Sequence, residues 1–238
     1  LKARKRGYTR SQPALLKLLR RLGMPTNQKT KPSPTCRRNK PYEQMSRPGE
    51  RIQIDVKYVP KDCLSIEFRE RYSLSRLYQY TAIDEYSRYR ILSGYLEHDT
   101  YASSLFLCQV ASSFKALGIE VECVQTDNGM QFTKQFIAKS ENNHSMFEVT
   151  AKRLGIRIKR IKPATPKHNG KVERSHREDQ RLLYSEIVRT GKLITDVKDF
   201  KRRLKRHQDK TNNRPMRPLG YLSPNDYLKQ YKHKQSIK

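Results

Sequence analysis

The 238-residue chain is short of acid. Its 23 Asp and Glu stand against 51 Lys and Arg, a formal charge of +28. Solvated surfaces usually mix both signs, so this imbalance points to a polyanionic partner, most simply nucleic acid. Long apolar runs are also missing. No window approaches the roughly 18 apolar residues of a membrane span. The opening LKARKRGYTR has basic residues but no apolar stretch behind them, so neither a membrane partner nor a secretory leader is expected. Cysteine is sparse: Cys36, Cys63, Cys108 and Cys123 form no C-x-x-C pair and find no His at zinc spacing. Cys108 and Cys123 lie in apolar stretches and read as small core residues in a reducing, cytosolic compartment. No Ser/His/Asp or Cys/His arrangement suggests a side-chain nucleophile, and no internal repeat is present. The chain begins at Leu1 rather than Met, which suggests a fragment or processed product.

What remains is enough for a core in part of the chain. Hydrophobic residues make up only 35%, but 14 Tyr and 7 Phe join several Ile/Val/Leu runs. The charge is unevenly placed. Residues 1–47 carry net +13, residues 48–155 net −1 and residues 156–238 net +16. A nearly neutral centre is flanked by two basic arms, as expected where the arms meet phosphate.

Local patterns divide the chain further. SQPALLKLLRRL (11–22) reads as a short helix, with Ser11 as cap, Pro13 in the first turn and Gly23 at the end. Leu15, Leu18, Leu19 and Leu22 form its apolar stripe, leaving Lys17, Arg20 and Arg21 on the other face. Residues 25–48 hold five Pro and many cations and read as an extended linker. Alternation of Ile52, Ile54, Val56 and Tyr58 marks a strand over 51–59, with Asp55 on its opposite face. Strands over 77–83 and 89–96 complete an antiparallel meander. A helix over 101–117, capped by Thr100, a strand over 119–126, a helix starting near Gln131, a helix over 147–154 and a strand over 156–161 follow. After the loop PATPKHNG (163–170), long helices are expected over 171–189 and 196–210. This order implies a mixed α/β sheet with helices on it.

Three acids stand out. Asp55 lies mid-strand between apolar residues, where a charge is costly unless paired or used. Asp127 stands where a hydrophobic strand ends at Asp127-Asn128-Gly129, and ligands collect at such strand ends. Glu173 sits in the first turn of a helix, where by itself it does no more than complement the helix dipole. Together they could hold hard divalent cations, with substrate phosphate completing the shell. Two such ions about 4 Å apart suit an in-line phosphoryl displacement by water or a sugar hydroxyl. Asp84 is a further candidate ligand, but its place between two strands favours a turn residue. His176 is read as packing on the Val172 side.

The stretches RPGERIQIDVKYV, AIDEYSRY, VQTDNGMQF and PATPKHNGKVERSHRE resemble the catalytic core of DDE transposases of bacterial insertion sequences, in the retroviral-integrase superfamily. NNRPMRPLGYLSPNDY (212–227) resembles that family's closing motif. Gly7-Tyr8 and Arg20-Arg21-Leu22-Gly23 resemble the last part of its helix-turn-helix region. The resemblance implies an α/β chain with an RNase H-like mixed five-stranded sheet and flanking helices, preceded by a partial helix-turn-helix segment. It divides the chain into that segment (1–24), the linker (25–48), the catalytic core (49–190) and a basic helical extension (191–238). It makes Asp55, Asp127 and Glu173 the catalytic ligands of Mg²⁺ or Mn²⁺, two ions in all. It also implies DNA strand cutting and joining at the element's ends, a homo-multimer assembled on double-stranded DNA, and a bacterial cytoplasmic, nucleoid-associated location. Lys17, Arg20, Arg21, Lys167, His168, Asn169, Arg177 and Arg181 become DNA-contact candidates. For His168 and Asn169 the alternative is to shape the loop and cap the helix. Three features differ from the usual family pattern. Forty-five residues separate Asp127 from Glu173, more than is common, with KSENNHSM (139–146) as room for an extra loop. Gln131 stands where Glu is frequent, and Gln180 where a basic residue is frequent.

The charge division predicts that affinity for duplex DNA falls steeply with salt and that Asp55→Asn leaves the slope unchanged. A flat dependence in a filter-binding titration between 50 and 200 mM salt would contradict the basic-arm reading.

Overall fold

The structure is a computed structural model. It describes residues 7, 9, 11–24, 43–73, 76–133, 144–161 and 169–236. It contains two compact units, Leu1–Tyr42 and Glu43–Lys238. In the first, helix α1 (Gln12–Arg21) starts where the Ser11 side chain accepts from the Ala14 amide. It ends before Gly23, whose φ of +64° reverses the chain. Leu15 and Leu19 are half-buried, but Leu18 and Leu22, expected in the same stripe, are 45% and 65% exposed.

The second unit is built on the expected sheet: β1 (Ile52–Tyr58), β2 (Tyr78–Asp84), β3 (Arg90–Tyr95), β4 (Cys123–Thr126) and β5 (Arg157–Arg160). Their spatial order is β3-β2-β1-β4-β5. The first three strands are antiparallel, and β4 and β5 run parallel to β1. The β1–β2 link contains a 3₁₀ turn (Lys61–Cys63) and helix α2 (Ile66–Tyr72), which the sequence pattern did not signal. Ser65 caps α2 by accepting from the Phe68 amide, and Phe68 is its one buried residue. β4 is shorter than expected. Upstream of it, the Ile119 amide closes the preceding helix on the Phe114 carbonyl, and the Glu122 amide bonds the Gly49 carbonyl.

The two faces of the sheet differ in chemistry. Ile52, Ile54, Tyr80, Ala82 and Ile91 pack under α3 (Thr100–Ala116) and α4 (Met146–Arg153) with Phe106, Val110, Phe114 and Phe147. The cap of α3 is Asp99 rather than Thr100: its carboxylate accepts from the Ala102 amide at 2.8 Å. Charged Asp is at least as good a cap as Thr, and its charge also suits the helix dipole. The helix expected from Gln131 begins only as a turn, with the Phe132 amide on the Gly129 carbonyl; residues 134–143 lie outside the described set.

The opposite face carries Gln53, Asp55, Gln79, Thr81 and Arg90. Helix α5 (Gly170–Asp179), a π-helical turn (Gln180–Tyr184) and α6 (Ser185–Thr190) form one rod across it. The π turn has an evident reason. Val172, Ser175 and Asp179 face inward at α-helical spacing, and Tyr184 follows five residues later. Five residues overshoot an α-helical turn, and the wider π turn returns Tyr184 to the buried face. There its hydroxyl donates to Gln79. Asp179 accepts from Arg90 Nη2 (2.6 Å) and Gln79 Nε2 (2.7 Å), and lies 2.9 Å from His207 Nε2.

Residues beyond 190, read from the sequence as an extension, belong to this same unit. Helix α7 (Val197–Asn212) lies along edge strand β3. Asn212 accepts from the Arg90 amide and donates to the Arg90 carbonyl, and Gln208 accepts from the Leu92 amide. These side chains occupy strand groups that would otherwise invite edge pairing. Gly94 lets the Phe200 ring sit against β3, since a Cβ there would lie 2.3 Å from Cδ1. Helix α8 (Pro224–Ser236) follows. No helix among the described residues is long and apolar enough to cross a membrane.

Asp179→Asn leaves the fully buried Arg90 charge uncompensated and should cost about 3–5 kcal/mol in urea unfolding at pH 7. The hydrogen bonds and charge around Asp179 outweigh its burial and hold its carboxyl well below the usual range. Its contribution is therefore complete above the unfolded pKa of about 4 and declines as pH falls below it. The Asn variant should lack that part of the acid limb; an equal acid slope in both proteins contradicts the assignment.

Candidate active site

Parallel pairing brings the first two acids together. Ile52 pairs with Val124 and Gln53 with Gln125. Continued at the same offset, this register places Asp55 beside Asp127. Asp55 Oδ1 accepts from the Val56 amide at 2.9 Å, and Asp127 Oδ1 accepts from the Gly129 amide at 3.0 Å. The second bond closes the turn that ends β4, while Asn128 donates to the Ile161 carbonyl and ties that turn to the end of β5.

The third acid arrives on α5, and Gln53 sets its position. Gln53 is fully buried and shares a strand face with Asp55, two residues on. Its Oε1 accepts from the Val172 amide at 3.1 Å, and its Nε2 donates to Glu85 at 3.0 Å. The first turn of α5 is thereby fastened to β1 next to Glu173, which remains exposed. Glu85 also bonds Arg51 (2.7 Å) and Lys171 (2.5 Å), so the helix start is held from both sides.

The electrostatics agree with this juxtaposition. Burial, then the charge of Asp127, and in smaller part that of Glu173, push the Asp55 carboxyl up to about 7. The charges of Asp127 and Glu173 thus both reach Asp55, and carboxylate oxygens are the hard donors that Mg²⁺ or Mn²⁺ prefers. Among the described residues, however, no three His, Cys, Asp or Glu groups stand as close as in a metal shell. The residues fit such an ion in donor chemistry and mutual repulsion, and Glu173 is the exposed member of the three.

His176, read from the sequence as packing beside Val172, reaches the site instead. Its Nδ1 lies 3.5 Å from Asp55 Oδ2, and its buried Nε2 has no hydrogen-bond partner among the described residues. Burial pushes its pKa down to about 4, so at neutral pH this contact joins a neutral ring to the carboxyl. His176 is three residues from Glu173 as well as four from Val172, and helix spacing alone admits both sides.

Asp84 takes the structural part. Gly49 donates to Oδ1, and the Ser87 amide and hydroxyl donate to Oδ2. Asn169 precedes α5 but makes no capping bond, and its buried Oδ1 has no partner among the described residues. Arg177 is exposed on α5. Arg181, which four-residue steps from Glu173 and Arg177 would put on their face, lies instead beside Arg174 and Glu178 in a neighbouring cleft, because a seven-residue step from Arg174 returns to the same helix face. Lys17, Arg20 and Arg21 are exposed on α1 of the first unit. Lys167 and His168 lie outside the described residues. Gln53 was missed in the sequence, although a polar residue two positions before Asp55 on one strand face was the available signal.

Gln53→Leu keeps side-chain volume but orphans the Val172 amide. It should lower stability by about 1–3 kcal/mol and speed Val172 amide exchange more than exchange in β2. Uniformly raised exchange across the sheet would show a general loss of packing instead.

Known proteins resemble this chain in sequence and fold. Residues 45–166 match the family described as integrase core domain, a span that includes Asp55 and Asp127 and stops before Glu173. A Bacteroides fragilis protein named transposase for insertion sequence element IS4351 is 29% identical over 117 residues. That match covers 49% of this chain and only 30% of the transposase. Among solved structures, the catalytic core domain of BIV integrase aligns with a TM-score of 0.54 at 18% identity, covering 79% of this chain and 99% of that one. A simian T-cell lymphotropic virus intasome, solved in complex with PP2A regulatory subunit B56 gamma, gives 0.50 at 20% identity, covering 76% and 57%. The sheet order, the helices on both faces and these likenesses define an RNase H-like fold. With half of its length matched by the family, the chain belongs to the integrase core domain family.

Proposed function

We propose that this chain is a transposase that cuts and joins DNA strands at the ends of a mobile element by metal-dependent phosphoryl transfer. The observation that carries the reading is the parallel register of β1 and β4, which continued by two residues brings Asp55 beside Asp127, with α5 pinned to β1 through Gln53. Asp55, Asp127 and Glu173 would hold Mg²⁺ or Mn²⁺, and the bound ions supply Lewis acidity to the scissile phosphate. The chain's own part is positional. The strand pair fixes two carboxylates, and the helix presents the third from the exposed side. No side chain need act as nucleophile: water attacks phosphorus and the 3′ oxygen leaves as a hydroxyl. That hydroxyl then attacks a target phosphorus and releases the target's 3′ oxygen.

The DNA contacts belong to the same proposal. Lys17, Arg20 and Arg21, exposed on α1, and Arg177, exposed on α5 four residues after Glu173, would meet phosphate, the commoner partner of cations on DNA. Lys167, His168 and Asn169 precede the catalytic helix. Pairing two element ends calls for two or more copies of the chain assembled on DNA. A second reading, hydrolysis without joining, uses the same three acids and differs only in the nucleophile accepted at the second step.

Asp55→Asn, Asp127→Asn and Glu173→Gln should each lower strand cleavage and joining about a hundredfold or more while duplex binding persists. Joined products from a pre-cut 3′-hydroxyl end identify a transferase, and shortened products alone identify a nuclease. A variant that still joins strands at the wild-type rate in Mg²⁺ refutes the three-acid assignment.

A further inference from the structure

On the side of α5 turned away from Asp55 lies a cleft of about 460 Å³. Its walls are the β2–β3 turn, α5 and the 214–218 segment. Arg88, Arg90, Lys171, Arg174, Arg181 and Arg217 line it. Two of its wall residues are already matched: Lys171 with Glu85 and Arg214 with Glu178, each at 2.5 Å. Glu178 is the one acid in the lining. Among the described residues Arg174, Arg181 and Arg217 make no ion pair.

Arg90 supplies an independent observation. Its side chain is 2% exposed and spends only Nη2 on Asp179, at 2.6 Å. Nε and Nη1 are buried without any acceptor among the described residues. Buried guanidinium donors are rarely left unmatched, so the wall that Arg90 gives the cleft is short of an acceptor, as the cleft is of negative charge. The wall opposite α5 is stiff, because Pro215 and Pro218 fix its backbone. A site lined by forked donors on a rigid frame, with three unneutralised arginines, suits tetrahedral oxyanions that accept several hydrogen bonds at once. The volume falls in the range of sites for small ligands, enough for a nucleotide or so of a strand rather than a duplex.

We propose that this cleft binds phosphate groups of a single DNA strand, at a subsite separate from the three acids. It rests on the DNA-processing reading above and deepens it. Arg174 directly follows Glu173 in sequence, so one helix turn presents a carboxylate to the reaction centre and a guanidinium to the cleft. A strand leaving the scissile position over α5 finds its next anchor there, which fixes the path of one strand only.

The test uses the full chain without divalent ions, so that phosphate has no metal to follow to the acids. Inorganic pyrophosphate should shift the arginine Nε–H NMR signals of Arg90 and Arg174, and a short single-stranded oligonucleotide should displace it. Arg174→Gln/Arg217→Gln should weaken oligonucleotide binding about tenfold and reduce the salt slope by about 1.4, the share of two single-strand phosphate contacts. Lys115→Gln/Lys152→Gln, exposed and outside the cleft, removes the same charge and should change affinity twofold or less. Equal losses in both pairs would reduce the effect to bulk charge and overturn the subsite. So would unshifted arginine signals, or pyrophosphate that the oligonucleotide cannot displace. The catalytic reading fails separately: strand joining by Asp55→Asn refutes it whatever the cleft binds.

Discussion

The carboxylate of Asp179, fully buried between the sheet and α7, is the constraint on which the rest of this unit depends. A buried charge is tolerated only when its hydrogen-bonding capacity is filled. Arg90 of β3, Gln79 of β2 and His207 of α7 fill it together. Three elements from distant parts of the sequence must therefore meet at one carboxylate. Helix α5 is placed by this requirement at one end and by Gln53 at the other. Between those anchors its orientation over the sheet leaves little freedom, and the π turn absorbs the mismatch between α-helical spacing and the position Tyr184 must take.

The two faces of the sheet divide the labour. The apolar face, under α3 and α4, gains stability by removing Ile, Phe and Val side chains from water. The face under α5 carries amides and charges in the middle of strands, an expensive arrangement for stability alone. There, buried glutamines hold carboxylates and backbone amides in place, and rigid support of this kind is what the proposed site would need. A second apolar cluster of Phe68, Leu77, Tyr184, Phe200 and Leu204 adjoins the polar belt and keeps water from its inner end.

Positive charge is also divided by place. Some cations are structural: Arg51 and Lys171 serve Glu85, Arg203 serves Asp199 and the carbonyls before α7. Others, Arg174, Arg181 and Arg217, make no ion pair among the described residues where α5 meets the 214–218 segment. Net charge predicts a polyanionic partner but does not say which cations are free to meet it. Only the pairing pattern separates the two groups.

By itself the sequence determined the five strands and the main helices, and it singled out three acids as candidates. Those follow from alternation, capping and turn signals, which act over a few residues and are written locally: Ile52-x-Ile54 beside Asp55, and the Asp127-Asn128-Gly129 turn. Tertiary structure decided what distant residues share. It placed His176 against Asp55 where helix spacing allowed two sides, turned Arg181 toward the Arg174 cleft, and joined the residues after 190 to the edge of the sheet through Asn212 and Gln208. It also gave Gln53, Asp179 and Arg90 their parts, because a buried polar residue takes its meaning from the partner that fills its hydrogen bonds. That partner lies about a hundred residues away, beyond the reach of any local pattern.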